Sequence, residues 1–221
     1  MKLSGGIEKR LAAHLRDKVT IRTSGEVPFY VLVRHPEKVV VVEQEVEGEA
    51  RVECNLPEGA LCVQWNLPTG YFRFLKDEQN ADGALLIWRD DGSHDGRFEA
   101  HVMECKKTVE QNSWSKALKQ MRWTFLRLRA LAGALGVPIQ RVTFYTAFRE
   151  HKFSSTSSRN ALVPRSPITS RFAEPDEIIE RPRRLQMAWE NDDITLGDFE
   201  GRFAHTKIEL DKDGNGSIGL A

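Results

Sequence analysis

Apolar side chains recur along this chain with two different periods, and the change of period marks the elements. In 7–15 (IEKRLAAHL) the positions Ile7, Leu11, Ala12 and Leu15 have helical spacing. Short runs rich in β-branched and aromatic residues follow at 28–33 (PFYVLV), 39–42 (VVVV), 60–65 (ALCVQW) and 71–75 (YFRFL), with Pro36, Pro57 and Pro68 between them. Such runs predict strands. Two more, at 84–88 (ALLIW) and 98–105, flank the Asp- and Gly-rich stretch RDDGSHDGR and predict a hairpin. After Thr108 the period lengthens. Trp114, Leu118, Met121, Phe125, Leu128 and Leu135 recur at intervals of three, four or seven, which predicts a long amphipathic helix over 113–135. Asn112 or Ser113 can cap it, and Gly133, Gly136 and Pro138 end it. Strand character returns at 141–148. The segment beyond His151 is rich in Ser, Arg and Pro and reads as a long loop. A helix around 184–190 and a final strand near 204–210 complete the pattern, which contains no internal repeat. The order points to a mixed α/β (α+β) fold with a central mixed sheet flanked by helices. Residues 1–150 would form the core and 151–221 a loop-rich extension.

The bulk numbers narrow this only a little. With 221 residues, 40% hydrophobic and 29% charged, the chain has the make-up of an ordinary globular protein. Uncharged apolar stretches such as 130–137 fall far short of the ~20 residues of a spanning helix, so no membrane association is expected. The start, MKLSGGIEKR, has no apolar run of the secretory kind. Cys54, Cys62 and Cys105 are odd in number and lack zinc-ligand spacing, so unlinked thiols in a reducing cytoplasm are expected.

The net charge is zero, but it is unevenly spread. From Glu37 to Glu58 seven acids face Lys38 and Arg51, while from Cys105 to Arg171 thirteen bases face only Glu110 and Glu150. The basic half can form a face for an anionic partner, or the two halves can lie together and neutralise each other. The sequence leaves both open.

The candidate chemistry lies in AHVMECKKT, residues 100–108. Strand alternation puts Val102, Glu104 and Lys106 on one face and turns Met103 and Cys105 the other way, into apolar packing. Glu104 and Lys106 are then about 7 Å apart along that face, at ~3.3 Å per residue. Asp82 stands just before the partner strand and can come near Glu104 across the hairpin. Two carboxylates and a lysine facing one cleft suit a hard divalent cation, which takes one or two carboxylates, waters and phosphate oxygens. Without a cation the two acids repel and one pKa rises.

A comparison within the chain is available at Glu150-His151-Lys152. This second Glu-x-Lys has no upstream acid on a paired strand and no following helix, and reads as a solvated strand end. Glu99 falls on the face opposite Glu104 unless a bulge intervenes. Glu8 is a further acid, on the first helix.

Asp82, then Glu104-Cys105-Lys106, then a long helix carrying Gln120 and Trp123, resembles the PD-(D/E)XK nuclease superfamily, in particular its RecB-like exonuclease branch. The resemblance spans 7–148. It implies a restriction-endonuclease-like core and Mg²⁺- or Mn²⁺-dependent hydrolysis of phosphodiester bonds in DNA, in defence or repair; the residues leave DNA versus RNA open. It also implies that Asp82 and Glu104 ligate the metal with the Cys105 carbonyl, that Lys106 is the catalytic lysine, and that Gln120 contacts the scissile region or orders water. The chain departs from the pattern at Ala81 (proline in the family), Gln79 (often glycine) and Trp123 (usually tyrosine). It also lacks the four cysteines of an iron–sulfur set.

Lys116, Gln120, Trp123 and Arg127 share one helix face, with Lys119 and Arg122 beside it and Lys107 just before the helix. This face is expected to meet a phosphate backbone, with Trp123 stacking on a base. Two other readings compete. One is a non-catalytic nucleic-acid- or protein-binding module on the same fold, with a protein partner or a second copy of the chain. The other is a Ca²⁺ site at 211–218 (DKDGNGSI), which matches the opening of an EF-hand loop but ends before its twelfth-position Glu; a polar turn at a frayed terminus is the simpler expectation there.

Overall fold

The computed structural model describes residues 30–45, 48–65, 79–89, 97–153, 182–197, 199 and 201–220. In chain order these form β1 (Tyr30–Arg34), β2 (Lys38–Glu45), β3 (Gly48–Asn55), β4 (Leu61–Trp65), β5 (Gly83–Arg89), β6 (Arg97–Val109), helix α1 (Gln111–Leu135), β7 (Ile139–His151), helix α2 (Pro182–Glu190), β8 (Asp193–Ile194), β9 (Phe203–Glu209) and β10 (Asn215–Gly219). The helix expected at 7–15, with Glu8, the strand expected at 71–75 and most of the Ser/Arg/Pro segment lie outside the described residues.

A seven-stranded sheet runs in the order β1-β4-β5-β6-β7-β9-β8. Its β1-β4-β5-β6 half is antiparallel, and β6-β7-β9 are parallel to one another. Parallel neighbours need a long crossover, and α1 supplies it between β6 and β7. A separate three-stranded sheet has the order β10-β3-β2. The mixed central sheet with its helices is the expected fold class. The hairpin of β5 and β6 also forms, with Gly83 opposite Met103 and Arg89 opposite Arg97.

Each face of the large sheet is covered differently, and the alternation of β6 shows it. Ala100 and Val102 pack with Trp114, Ala117, Leu118, Met121, Phe125 and Leu128 of α1. Met103 and Cys105 point the other way and join Val39 and Val41 of β2 and Val52 and Cys54 of β3. Each buried Val, Leu, Met or Phe among them contributes roughly 1.5–3 kcal/mol through apolar area removed from water. The sheets approach most closely at Gly83, where an added Cβ would lie 2.9 Å from Val41 Cγ2 and 3.2 Å from Met103 Cβ. Only glycine leaves room for Val41 there.

The N-cap of α1 is Glu110, whose backbone N–H donates to Ser113 Oγ at 2.8 Å. The helix stops at Gly136, which takes the left-handed conformation at φ 69°. Ser113 therefore does cap, but from inside the first turn rather than before it.

Residues 182–220 contribute more than the loop-rich extension expected of them. They supply α2, β8 and β9, with β9 paired in parallel to β7 inside the main sheet. β10 pairs in parallel with β3 in the other sheet. A division at residue 150 would cut through β7. The helix expected around 184–190 and the strand expected near 204–210 both form; what was not legible is the partners they find, because β7 and β3 lie far away in sequence. The stretch 211–218 is a tight turn leading into β10. There Asp211 Oδ1 accepts the backbone N–H of Asp213 at 2.9 Å and of Asn215 at 2.8 Å. The carboxylate that would open a Ca²⁺ loop thus serves its own turn, and the terminus is a paired strand rather than a frayed end.

Candidate active site at the end of the hairpin

β5 stops at Gly83, but β6 runs on to Val109. The step leaves a notch beside Glu104, Cys105 and Lys106, and Asp82 comes into it from the end of β5. Asp82 Oδ2 accepts the Cys105 backbone N–H at 2.6 Å. Glu104, on the same strand face as Val102, is fully buried. Lys106 donates its ammonium to Glu104 Oε1, and also to the Cys105 carbonyl at 3.0 Å. The Lys106 side chain keeps 16% of its surface exposed, so the lysine sits at the rim and the glutamate beneath it. The second Glu-x-Lys is different: Glu150 and Lys152 are 52% and 60% exposed and lie 3.6 Å apart. It is a solvated strand end, as its context suggested.

Burial drives the electrostatics of the notch. It pushes the Glu104 carboxyl up to about 7, against the attraction of Lys106 and with added repulsion from Glu43. Asp82 is likewise raised well above the carboxylate range, by burial first and by the charge of Glu104 second; the Cys105 N–H and Lys106 oppose this but do not prevail. For Lys106, burial would weaken the charge, yet Glu104, Asp82 and Glu43 outweigh it and hold the ammonium above its usual value. The Cys105 thiol is pushed up by burial and stays protonated. The site is thus short of positive charge.

The donor set fits a hard cation. Glu104 Oε2 and Gln120 Oε1 are buried acceptors without a hydrogen-bond partner among the described residues. A hydrated divalent ion brings both the charge and the O–H donors that such acceptors need. Among the described residues no three of His, Cys, Asp and Glu converge on one position. Asp82 and Glu104 would hold the ion and water would fill the remaining positions, the usual arrangement for Mg²⁺. The Cys105 carbonyl, a third ligand by resemblance, is engaged by Lys106.

Glu43 was not singled out by its sequence context. On β2 the inward positions are Val39, Val41 and then Glu43, by strand alternation. Val41 lies on Gly83, so the next inward side chain is carried towards Asp82. Its charge acts on Asp82, Glu104, Cys105 and Lys106 alike. The alternation was legible, but the docking of β2 on β5 was not.

The stripe on α1 divides. Lys116 and Lys119 are exposed, and Lys116 lies near enough to favour the charged form of Glu104. Arg122 and Trp123 are half-buried, the guanidinium 5.4 Å from the indole centroid. Lys107 is half-buried as well. Arg127, expected on a phosphate-facing surface, is instead fully buried and donates to the Gln79 carbonyl at 2.7 Å and to Asn80 Oδ1. Gln120 Nε2 donates to the Asn80 carbonyl at 2.8 Å. This face of the helix turns inward onto the segment that carries Asp82. Glu99 stays opposite Glu104, because the bulge in the β6–β7 ladder falls between Phe98 and Glu99, before the strand reaches the site. It pairs with Arg89 at 3.1 Å, beside a buried His101 that meets the Tyr145 hydroxyl at 2.8 Å.

Fold and site together define a mixed α+β protein with a buried glutamate, a half-buried aspartate and a rim lysine at one strand end. Comparisons with protein-family models, with curated proteins and with solved structures give no match.

Proposed function

We propose that this chain is a divalent-metal-dependent nuclease of the PD-(D/E)XK type, hydrolysing phosphodiester bonds in DNA. One observation carries the reading: Asp82, Glu104 and Lys106 meet in one notch, with a Glu104 oxygen buried and unpartnered. When bound, Mg²⁺ or Mn²⁺ would offset charge on the phosphate and acidify a bound water. The protein's own groups divide the remaining work. Asp82 and Glu104 hold the ion. Lys106, at the rim, presents an ammonium to the non-bridging oxygens and orients the attacking water. Lys116 and Lys119, with Arg122 over Trp123, offer charge and a ring to the backbone and bases on the same side of the sheet.

The test is incubation with single- and double-stranded DNA and RNA in Mg²⁺, Mn²⁺ or EDTA. Glu104→Ala and Lys106→Ala are each expected to lower metal-dependent cleavage by at least about 10²–10³-fold, the loss typical of removing one charge-stabilising group. Circular dichroism should show the fold retained. A variant that cuts as fast as wild type would sink the assignment. Metal-independent binding with steep salt dependence and no cleavage would favour a binding module instead.

A further inference from the structure

The notch depends on residues 79–82, which belong to no helix or strand yet deliver Asp82. Three side chains from successive turns of α1 grip them. Gln120 Nε2 reaches the Asn80 carbonyl at 2.8 Å. Thr124 Oγ1 accepts the Ala81 N–H at 2.7 Å. Arg127 Nη1 reaches the Gln79 carbonyl at 2.7 Å and Asn80 Oδ1. Thr124 and Arg127 are fully buried, and each bonds backbone of this segment, which lies outside β5.

Accepting the nuclease reading, we propose that Thr124 and Arg127 are positioning residues: they fix the backbone before Asp82 and thereby set the affinity of the site for its cation. Neither touches substrate. Arg127, though basic and on the helix face that turns towards the site, makes no phosphate contact. The physical reason is geometric. Asp82 directly follows the gripped residues and its carboxylate meets the Cys105 N–H at 2.6 Å, so fixing the backbone of 79–81 fixes where that carboxylate stands beside Glu104. The tether keeps the two acids together, and cation binding relieves the repulsion. A hydroxyl and a guanidinium suit the task because they meet opposite needs: Thr124 accepts from an N–H, and Arg127 donates to two oxygens.

The experiment is Mn²⁺ binding to the full chain by isothermal titration calorimetry at pH 8, without nucleic acid. Alongside it run the Mn²⁺ dependence of DNA cleavage and the KM for DNA at saturating Mn²⁺. Thr124→Val, close in shape but unable to accept, is expected to weaken Mn²⁺ binding about five- to tenfold, the worth of one net hydrogen bond. KM for DNA should not change. Arg127→Met should weaken the cation further, and Arg127→Lys, which keeps one donor, should recover part of the loss. Melting temperatures confirm that each variant is folded during titration, so a merely structural role would leave the Mn²⁺ constant in place. If Thr124→Val and Arg127→Lys bind Mn²⁺ as wild type does, the inference is wrong. It is equally wrong if Arg127 variants weaken DNA binding and lower its salt slope while Mn²⁺ binding is unchanged. A wild-type protein that takes up no Mn²⁺ overturns the nuclease reading, and this inference with it.

Discussion

Asp82 and Glu104 act against the fold when the notch holds no cation. Both acids ionise more readily in the unfolded chain, where carboxyls titrate near 4. Their raised folded values mean that their contribution to stability is fully present below about pH 4. It is lost as pH rises through the folded range, which for Glu104 lies at about 7. The metal-free protein should therefore lose stability between about pH 4 and 8, and Mg²⁺ should restore more at pH 8 than at pH 5. Asp82→Asn removes the charge but keeps an oxygen for the Cys105 N–H. It is expected to raise Tm in EDTA at pH 8, by about 2–4 °C per kcal/mol recovered, while abolishing cleavage. Differential scanning calorimetry across pH, with and without Mg²⁺, checks both statements. An unchanged or lower Tm for Asp82→Asn would mean that the carboxylate stabilises the fold. At this scale the sequence was informative where chemistry is local. Alternation alone set Glu104 and Lys106 on one face and Met103 and Cys105 on the other. It misread Arg127, because a guanidinium on a helix looks the same whether it meets phosphate or a buried carbonyl.

At the scale of elements, the hairpin of β5 and β6 and helix α1 were legible. Their periods are strong and their partners lie next to them in sequence. β3 was not, although Ala50, Val52 and Cys54 are inward and alternate with polar residues. The acids Glu49 and Glu53 drew attention to charge instead. The contact of β2 with β5 is the element-scale feature on which Glu43 depends, and Gly83 tests it. Gly83→Ala forces a methyl against Val41 and Met103 and should cost about 1–3 kcal/mol, as overpacking does. Val41→Ala opens space at the same spot. The double variant should be less destabilised than the two single effects summed, by about 0.5 kcal/mol or more. Urea unfolding of the four proteins measures the coupling, and strict additivity would argue that β2 does not rest on Gly83.

At the scale of the molecule, the C-terminal residues are structural partners of the core. β9 fills a place between β7 and β8, and β10 borders β3. Arg149 of β7 donates to the Glu49 carbonyl at 2.8 Å, and an added Cβ at Gly214 would lie 2.4 Å from its guanidinium, so the two sheets and the last turn meet there. A chain ending at residue 200 would expose the β7 edge and Ile208, Leu210 and Leu220 would be lost from the core. It should show no cooperative thermal transition by circular dichroism. A truncated protein that melts like the full chain would restore the idea of a separable extension. Among the described residues no helix is long and apolar enough to cross a membrane.

The sequence by itself determined the mixed α+β class, the β5–β6 hairpin, the long helix and the face on which Glu104 and Lys106 stand. All of these follow from periodicity and from neighbours within about twenty residues. Tertiary structure alone decided that a second sheet covers the face away from α1, that Glu43 adds its charge to the notch, and that Arg127 is buried. These arise where distant segments pack, and a lone inward glutamate after Val41 acquires meaning only from the surface it is pressed against.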